Sequence, residues 1–334
     1  MRVRFGMLFR HTVSASVERM IHHPDLYPVI IPVYFARRIV GREAVVAEIT
    51  ESARVGVIGG SGFYELLENA REVSLDTPFG APSDVYFLGE IDGVTVAFLP
   101  RHARGHRILP GEVNYRANIW GMKALGVRYV LSASAVGSLR EELEPLHVVV
   151  PDQLYDRTKA RASTFFGDGV VVHMGFADPF CPYVSGLLVE HGRAAGATVH
   201  EGGTYVCIEG PQFSTRAESN VYRQLGFDVI GMTNLQEAKL AREAELCYAT
   251  MAMVTDYDVW YEGEEDVTLE QVLANVRRNV ETAQTIVRRV VTALDQHRDC
   301  SCRHAVEFAI NTPAELIPAA TKQKLDLLIG KYLG

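Results

Sequence analysis

The chain has 334 residues and a formal net charge of −8, with 48% hydrophobic and 22% charged residues. This composition is ordinary for a globular enzyme, and the acidic balance argues against a nucleic-acid partner, which would need a basic face. No apolar run reaches the roughly 18 residues of a membrane span, and the five cysteines do not resemble the framework of a small secreted protein. We therefore expect one large α/β domain in a cytoplasmic protein.

The N-terminal segment, residues 1–52, is rich in arginine before its first acidic residue, Glu18. A transit peptide has this character, and so would a segment translated from a misassigned start codon. We assign the segment no function and expect it to be poorly ordered. The folded domain is predicted for residues 53–296, with a C-terminal extension over residues 297–334.

The first predicted strand, residues 54–58, leads into the glycine-rich loop Gly59-Gly-Ser-Gly62. Such a loop can close its backbone amides around an anion. Glu65 stands where a dinucleotide fingerprint needs its third glycine, and the Gly-Lys-Ser/Thr of a P-loop is absent. The loop alone is therefore weak evidence for an anion site.

Two further predicted strands, residues 95–99 and 127–133, also end in polar segments. The first is followed by Arg101-His-Ala-Arg-Gly-His106, which is either a cationic cluster at the carboxyl edge of the sheet or a solvated loop. The second is followed by Ser134-Ala-Val-Gly-Ser138. Residues 114–124 between them predict a helix, and a strand is expected over residues 147–151.

In the second half of the chain, a strand over residues 204–208 ends in Glu209-Gly-Pro-Gln-Phe213. Phe213 is either a core residue or an aromatic partner for a ligand. After Met232 and Thr233, Asn234 can cap a helix, with Glu237 at the third helical position to complete a capping box.

The next predicted strand, residues 247–254, is apolar throughout and delivers Asp256 and Asp258 just beyond its carboxyl end. Open α/β sheets bind ligands at this edge. The alternative is a turn in which the two aspartates cap the following segment. A long helix with an aliphatic face is predicted to begin at a capping box, Thr268 to Gln271, and to continue to about residue 294.

The blocks Glu209-Gly-Pro-Gln-Phe213, Arg216-Ala-Glu218, Met232-Thr-Asn234 and Thr255-Asp-Tyr-Asp258 stand in the order seen in trimeric purine nucleoside phosphorylases. The last block resembles the 5′-methylthioadenosine branch, whereas hypoxanthine and guanine phosphorylases have Asn after that Thr. The resemblance spans about residues 54–295. It implies a single large α/β domain with a mixed central sheet flanked by helices, and a homotrimer. Inorganic phosphate is then a co-substrate, with no cofactor and no metal.

The resemblance also assigns roles to individual residues. A carboxylic acid at Asp256 would protonate the leaving purine at N7, and Asp258 would bind the 6-amino group; the acid needs a raised pKa, which burial beside a second carboxylate provides. Phosphate would be held by a set of polar side chains and one backbone amide: Ser61, Arg101, His102, Ser134, Ala135 and Thr233.

The nucleoside is expected to contact Phe213 on its purine face and Met232 on its ribose, with Ser214 influencing substrate choice. An aliphatic pocket of Leu269, Val272 and Leu273 would accept a thioether tail, which has no strong hydrogen bond to satisfy. His173 is a surface residue by its surroundings, and the resemblance implies that it reaches a neighbouring subunit's site. Preference for methylthioinosine, inosine or adenosine is the alternative within the family. A water-using nucleosidase and a non-catalytic nucleoside-binding protein are the alternatives outside it.

The tail contains Cys300 and Cys302, followed by a helix predicted from Thr312 to about Lys331 with Pro313 at its first position. The resemblance extends to thermostable, archaeal-type relatives in which such paired cysteines can form a disulfide. A metal site is less favoured by the sequence, because no second Cys/His pair lies at ligand spacing.

Overall fold

The computed structural model describes residues 52–261, 269–295 and 297–334. The prediction for residues 1–52 therefore falls almost entirely outside the described residues, and so does Thr268 of the predicted capping box. The strands are β1 (Val55–Gly59), β2 (Glu68–Val73), β3 (Tyr86–Ile91), β4 (Val94–Pro100), β5 (Tyr129–Ser138), β6 (Val148–Val150), β7 (Gln153–Arg157), β8 (Val199–Glu201), β9 (Thr204–Ile208), β10 (Val229–Gly231) and β11 (Cys247–Asp256).

The described residues also form α-helices and several short 3₁₀ turns. The α-helices are α1 (Tyr115–Ala124), α2 (Pro182–Ala194), α3 (Arg216–Gln224), α4 (Asn234–Glu243), α5 (Leu269–Ala293) and α6 (Ala319–Ile329). The 3₁₀ turns are Ser61–Leu66, Asp258–Trp260, Ser301–His304, Ala314–Leu316 and Gly330–Tyr332.

The strands form one mixed sheet in the order β2-β3-β4-β1-β5-β10-β9-β7, with β11, β6 and β8 branching from β5. β5 lies at the junction, because it pairs in parallel with both β1 and β11 and its last residues pair antiparallel with β10. β11 is buried over nine of its ten residues. Such a continuous apolar run is expected of a strand that is covered on both faces.

Helices cover the two faces of the sheet. On one face α1 and α4 pack with residues such as Ile119, Met122 and Leu240, and on the other α2 and α5 pack with residues such as Leu188 and Ile286. The C-terminal segment joins the first of these cores through Val306, Ile317, Leu325 and Leu328. Across the part of the chain that the structure describes, no helix combines the length and apolarity needed to cross a membrane.

The predicted fold class is confirmed, and most predicted elements have matching strands or helices. β9 spans residues 204–208 as expected. The helix predicted for residues 114–124 is α1, and the Asn114 side chain caps it by accepting a hydrogen bond from the Ala117 amide. The strand predicted for residues 127–133 instead runs from Tyr129 to Ser138. The sequence missed α3, although Thr215 and Glu218 form a complete capping box at its start.

The predicted C-terminal helix is wrong at its beginning. A short 3₁₀ turn occupies Ala314–Leu316, and α6 begins only at Ala319. The cause is Pro318, because the residue before a proline is disfavoured in the α-helical region. Ile317 is accordingly extended, with φ −74° and ψ 125°.

Candidate active site

A cavity of about 400 Å³ opens where the segments after β1, β4, β9 and β10 meet the carboxyl-terminal halves of β5 and β11. α5 forms one wall through Val276, Val280 and Ala283. The carboxyl edge of the sheet is where open α/β sheets bind ligands, and the volume lies in the range of small-molecule sites. The sequence prediction that polar segments converge at this edge is therefore met by the fold.

Arg101 is 4% exposed and lines the cavity from the end of β4. Its Nε donates to Glu237 Oε1 at 2.5 Å and its Nη2 to Glu237 Oε2 at 3.1 Å, a two-point ion pair. Nη2 also donates to Ser132 Oγ at 2.7 Å, and Nη1 donates to the Ala133 carbonyl at 3.0 Å. Burial alone lowers the pKa of an arginine, but the Glu237 carboxylate outweighs it, so the pKa of Arg101 is raised. The guanidinium is therefore a fixed positive charge.

The partners of Arg101 belong to a larger buried hydrogen-bond network. Because this network engages Asn234 and Glu237, the predicted capping box of α4 is wrong. Asn234 does not cap the helix; its Nδ2 lies 2.7–3.1 Å from Ser132 Oγ, Tyr248 Oη and Thr250 Oγ1, and its two hydrogens are shared among these hydroxyl oxygens. Glu237 does not reach back to the helix start, because its carboxylate accepts from Arg101 and Tyr248. Tertiary hydrogen bonds have replaced the local ones that the spacing predicted.

His102 and His106 contribute two imidazoles to the same side of the cavity, with ring centroids 4.5 Å apart. His102 Nδ1 lies 2.8 Å from the Ile108 carbonyl oxygen and donates to it, which fixes the tautomer. Burial, with the positive charge of Arg101, lowers the pKa of His102 to about 4. The ring is therefore neutral near pH 7. Arg104, the remaining cationic residue of the run, does not line the cavity and pairs with Glu72 and Asp84.

Hydroxyl groups complete this side of the cavity. Ser134 Oγ and Thr233 Oγ1 lie 3.4 Å apart, both residues are buried, and Ala135 lines the cavity beside them. The Ser61 side chain is outside the described residues, although its backbone begins the 3₁₀ turn that follows β1.

Asp256 and Asp258 both line the cavity at the end of β11. Asp256 accepts hydrogen bonds from Thr255 Oγ1 at 2.6 Å and from the Asp258 amide at 2.9 Å. Asp258 is 7% exposed, and its carboxyl interacts with the Ser219 hydroxyl and the Val259 amide. Burial, with the charge of Asp256, raises the pKa of Asp258 from 3.8 to about 6. The sequence predicts a raised pKa for an acid at Asp256, whereas the structure shows the raised pKa on Asp258.

Two backbone features bring these carboxylates together. Asp258 has a positive φ of 52°, a conformation that is uncommon outside glycine. Gly137 on β5 leaves the necessary space, because a Cβ there would lie 3.0 Å from Asp256 Oδ1 and 3.3 Å from Asp258 Cβ. No sequence pattern indicates this role of Gly137.

The remaining wall is largely apolar. Phe213 lines the cavity while 57% exposed, and Met232, Ile208 and Ile230 lie along it. Ser214 lines the cavity too, and its buried Oγ has no hydrogen-bond partner among the described residues. The sequence predicts that Phe213 contacts a planar base and Met232 a sugar. The Ser214 hydroxyl is available to form a hydrogen bond with a polar group of a ligand.

Arg161 is a positioning residue that the sequence reasoning missed. Its side chain is 1% exposed, and it donates to the backbone carbonyls of Ile208, Glu209 and Met232. It also pairs with the Glu209 carboxylate at 3.1 Å. By holding the ends of β9 and β10, it fixes the backbone that carries Phe213 and Met232. Its contacts are backbone oxygens 47–71 residues away, which no local motif reveals.

Two groups of residues that the sequence predicts at the site do not line the cavity with side chains that the structure describes. His173 is exposed and does not line the cavity, and its amide donates to the Ala309 carbonyl. Leu269, Val272 and Leu273 lie in the first turn of α5, but their side chains fall outside the described residues. Later on the same helix, Asn279 donates to the Val254 carbonyl at 2.8 Å and lines the cavity.

Comparisons with known proteins agree with this geometry. The family model of the phosphorylase superfamily matches residues 54–292. S-methyl-5′-thioadenosine phosphorylase of Geobacter sulfurreducens is 57% identical over 282 residues, which is 84% of this chain and 99% of that protein. The crystal structure of a methylthioadenosine phosphorylase from an Antarctic soil metagenomic library has a TM-score of 0.80 at 50% identity, covering 84% and 99% of the two chains.

A mutant adenosine/methylthioadenosine phosphorylase of Schistosoma mansoni, in complex with methylthioadenosine, has a TM-score of 0.68 at 38% identity, covering 73% and 93% of the two chains. The chain therefore belongs to the phosphorylase superfamily. The family resemblance indicated by the motif blocks over about residues 54–295 is confirmed.

Proposed function

We propose that this chain cleaves 5′-methylthioadenosine with inorganic phosphate, giving adenine and 5-methylthioribose 1-phosphate. The observation that carries the proposal is one cavity that contains both a buried arginine with hydroxyl groups and a pair of aspartates, one with a raised pKa. The similar proteins named above are phosphorylases of this nucleoside.

The cationic side of the cavity suits the phosphate nucleophile. Arg101 offers a charge that does not depend on pH, and Ser134 and Thr233 offer hydroxyl donors. The Nδ1 of His102 is committed to the Ile108 carbonyl, so its neutral Nε2 can accept a hydrogen bond from the P–OH of a phosphate monoanion. In the proposed complex, Ser61 and the Ala135 amide complete the shell. Phosphate held here counters the positive charge that develops on the anomeric carbon.

The aspartate side suits a 6-aminopurine. Two carboxylates this close titrate as a pair, and a raised pKa means that the pair retains one proton at higher pH. In the proposed complex, Asp256 donates that proton to N7 of the leaving base, and Asp258 accepts from the 6-amino group. A neutral acid at N7 removes the negative charge that would otherwise build up on the base.

The choice of 5′ substituent rests on α5. Val276, Val280 and Ala283 give the cavity an aliphatic wall, and we propose that Leu269, Val272 and Leu273 extend it. A thioether is satisfied by apolar contacts, whereas an unpaired 5′-hydroxyl would cost about 1–3 kcal/mol. Ser214 is proposed to influence substrate choice, and Phe213 to stack on the purine.

Specificity constants for methylthioadenosine, methylthioinosine, inosine and adenosine test this proposal. We expect methylthioadenosine to exceed adenosine by about tenfold or more and to exceed both six-oxo nucleosides. A preference for inosine or methylthioinosine would contradict the assigned base. Equal use of adenosine and methylthioadenosine would contradict the aliphatic 5′ pocket.

We further propose that the chain assembles as a homotrimer in the cytoplasm and needs no organic cofactor. The support for assembly is that His173 lies outside its own cavity, and that Phe308 and Leu316 are 94% and 68% exposed. In the trimer, His173 would enter the neighbouring subunit's site. Light scattering should give a mass near three chains. A fully active monomer would contradict both the trimer and this role of His173.

A further inference from the structure

Four of the five cysteines converge in one place. The sulfur atoms of Cys181, Cys247, Cys300 and Cys302 all lie within 4.8 Å of one another, and those of Cys181 and Cys300 are 3.7 Å apart. All four are free thiols in the structure. The sequence offered only the pair Cys300 and Cys302 at ligand spacing; the fold supplies the second pair from two distant segments.

The group is held by three separate elements. Cys181 immediately precedes α2, Cys247 is the first residue of β11, and the other two cysteines lie at the Ser301–His304 turn that follows α5. Cys247 and Asp256 are the two ends of β11, so the cysteines lie at the opposite edge of the sheet from the cavity. Nine residue steps along a strand correspond to about 30 Å. The group is therefore separate from the substrate site.

The spacing of the sulfur atoms suits a tetrahedral metal ion. Zinc binds thiolates at about 2.3 Å, so the sulfurs of a regular Cys₄ site lie about 3.8 Å apart. The 3.7 Å between Cys181 and Cys300 matches this value. The upper limit of 4.8 Å for the other pairs requires movements of about 1 Å or less, which rotation about side-chain bonds supplies.

The surroundings suit a closed, structural site. Cys181, Cys247 and Cys302 are buried in the apolar core beneath α2 and α5, and Cys300 packs against it. Four protein ligands leave no position for substrate or water, which is the arrangement of structural rather than catalytic zinc. An S₄ donor set also selects against the harder ions magnesium and calcium.

We propose that Cys181, Cys247, Cys300 and Cys302 bind one Zn²⁺ ion that fastens the segment after α5 to the amino edge of the sheet. Binding displaces the thiol protons, and the ion joins residues that are far apart in the chain. The proposal departs from the sequence-based expectations of no metal and of a disulfide in the tail.

Cobalt binding provides the direct test. Full-length protein, reduced and freed of metal with a chelator, is titrated with Co²⁺. We expect one ion per chain, with sulfur-to-cobalt charge-transfer absorption in the near ultraviolet and the intense visible bands of tetrahedral cobalt. Zn²⁺ should displace cobalt and abolish both. Absence of thiolate-type absorption would overturn the proposal.

Variants identify the ligands. Cys302→Ser and Cys247→Ser should each lower cobalt affinity at least tenfold and weaken the charge-transfer band. Cys207→Ser is the matched control, because Cys207 is equally buried but lies outside the group. If the control lowers affinity as much as the ligand variants, the assignment is overturned. Because a ligand variant can fail to fold, the stoichiometry and spectrum of the unmodified chain stand as an independent criterion.

Stability and thiol state separate the metal from disulfides. Zn²⁺ should raise the apparent Tm by roughly 5 °C or more, while turnover at 25 °C stays within twofold because the active cavity is at the other edge. Alkylation of the denatured, unreduced protein should modify all five cysteines once the metal is removed. Blocked pairs that remain after chelation would show disulfides and overturn the proposal.

Discussion

The two sides of the active cavity differ in how their polar groups are satisfied. On the cationic side, Arg101 is held by Glu237, Ser132 and Ala133, and His102 donates to Ile108. On the aspartate side, Ser214 Oγ has no hydrogen-bond partner among the described residues. The first side is preorganised before ligand arrives, whereas the second contains a group that a ligand must satisfy.

In the proposed complex, this difference separates the binding of phosphate from the selection of the base. Phosphate is a small, symmetrical anion, so a rigid shell of donors suits it. The free-energy cost of arranging those donors is met when the protein folds. A purine must be distinguished from close analogues. Buried acceptors that stay unsatisfied with the wrong base provide that discrimination, because leaving such a group unpaired costs about 1–3 kcal/mol.

The largest effect should come from breaking the preorganised side. Glu237→Gln leaves the buried guanidinium of Arg101 without its counter-ion, and loss of one partner of a buried pair costs about 3–5 kcal/mol. Chemical denaturation should show this loss together with strongly reduced activity. Glu90→Gln is the control, because Glu90 is exposed and should change stability by less than about 0.5 kcal/mol. Unchanged stability in Glu237→Gln would remove the claim of a preorganised phosphate side.

The next effect concerns the proposed acid. Asp256→Asn removes a proton donor to N7 and offers an amide hydrogen to a six-oxo group. We expect adenine release from methylthioadenosine to fall about 10²-fold or more, while inosine-type substrates fall much less or improve. The specificity constants of both proteins measure this, with Asp178→Asn as an exposed control. An unchanged substrate ranking would contradict the role of Asp256.

A pH dependence should follow from Asp258. Its pKa is raised above the ordinary value of 3.8 to about 6, so the protonated pair persists to about pH 6 and is lost above it. We expect kcat/KM for methylthioadenosine at saturating phosphate to decline by about tenfold per pH unit above this value. Asp258→Asn leaves Asp256 as the single carboxyl of the pair and should displace that limb from pH 6, and phosphate ionisation is common to both proteins.

The same group should affect folding stability with a defined sign. Because the folded-state pKa is raised, the stabilisation from the protonated form is complete below about pH 3.8 and is lost as pH rises through 6. Wild type should therefore lose stability relative to Asp258→Asn over this interval. A constant difference between pH 4 and 7 would contradict the raised pKa.

The smallest effect should come from a single hydroxyl on the phosphate side. Ser134→Ala removes one neutral donor within β5, so we expect the KM for phosphate to rise about tenfold, corresponding to about 1.4 kcal/mol. Ser134→Thr keeps the hydroxyl and should stay within about threefold of wild type. If both variants behave alike, the hydroxyl is not a phosphate ligand.

The sequence predicted what local patterns and motif order can specify. β9 and β11 follow from apolar runs, and the residues after the strands predicted for 95–99, 127–133 and 247–254 were expected at one sheet edge. What it missed depends on tertiary contacts. Asn234 and Glu237 have the spacing of a capping box, yet a buried network engages both side chains. The cysteines at 181 and 247 are too far apart in the chain for their spacing to reveal a group.

The same limit explains the missed site residues. Arg161 acts on backbone carbonyls of other strands, and Gly137 matters only because two carboxylates lie against it. Neither role has a sequence pattern. The misplaced start of α6 is different, because Pro318 was visible and its effect on the preceding residue could have been foreseen.

The central claim is that the preorganised side of the cavity holds phosphate as the nucleophile. The most direct measurement is adenine release from methylthioadenosine, with and without phosphate, while 5-methylthioribose 1-phosphate is quantified in parallel. We predict release only when phosphate is present, with equal amounts of the two products. Adenine release at the same rate in phosphate-free buffer, with free methylthioribose as the second product, would show a nucleosidase and contradict the account.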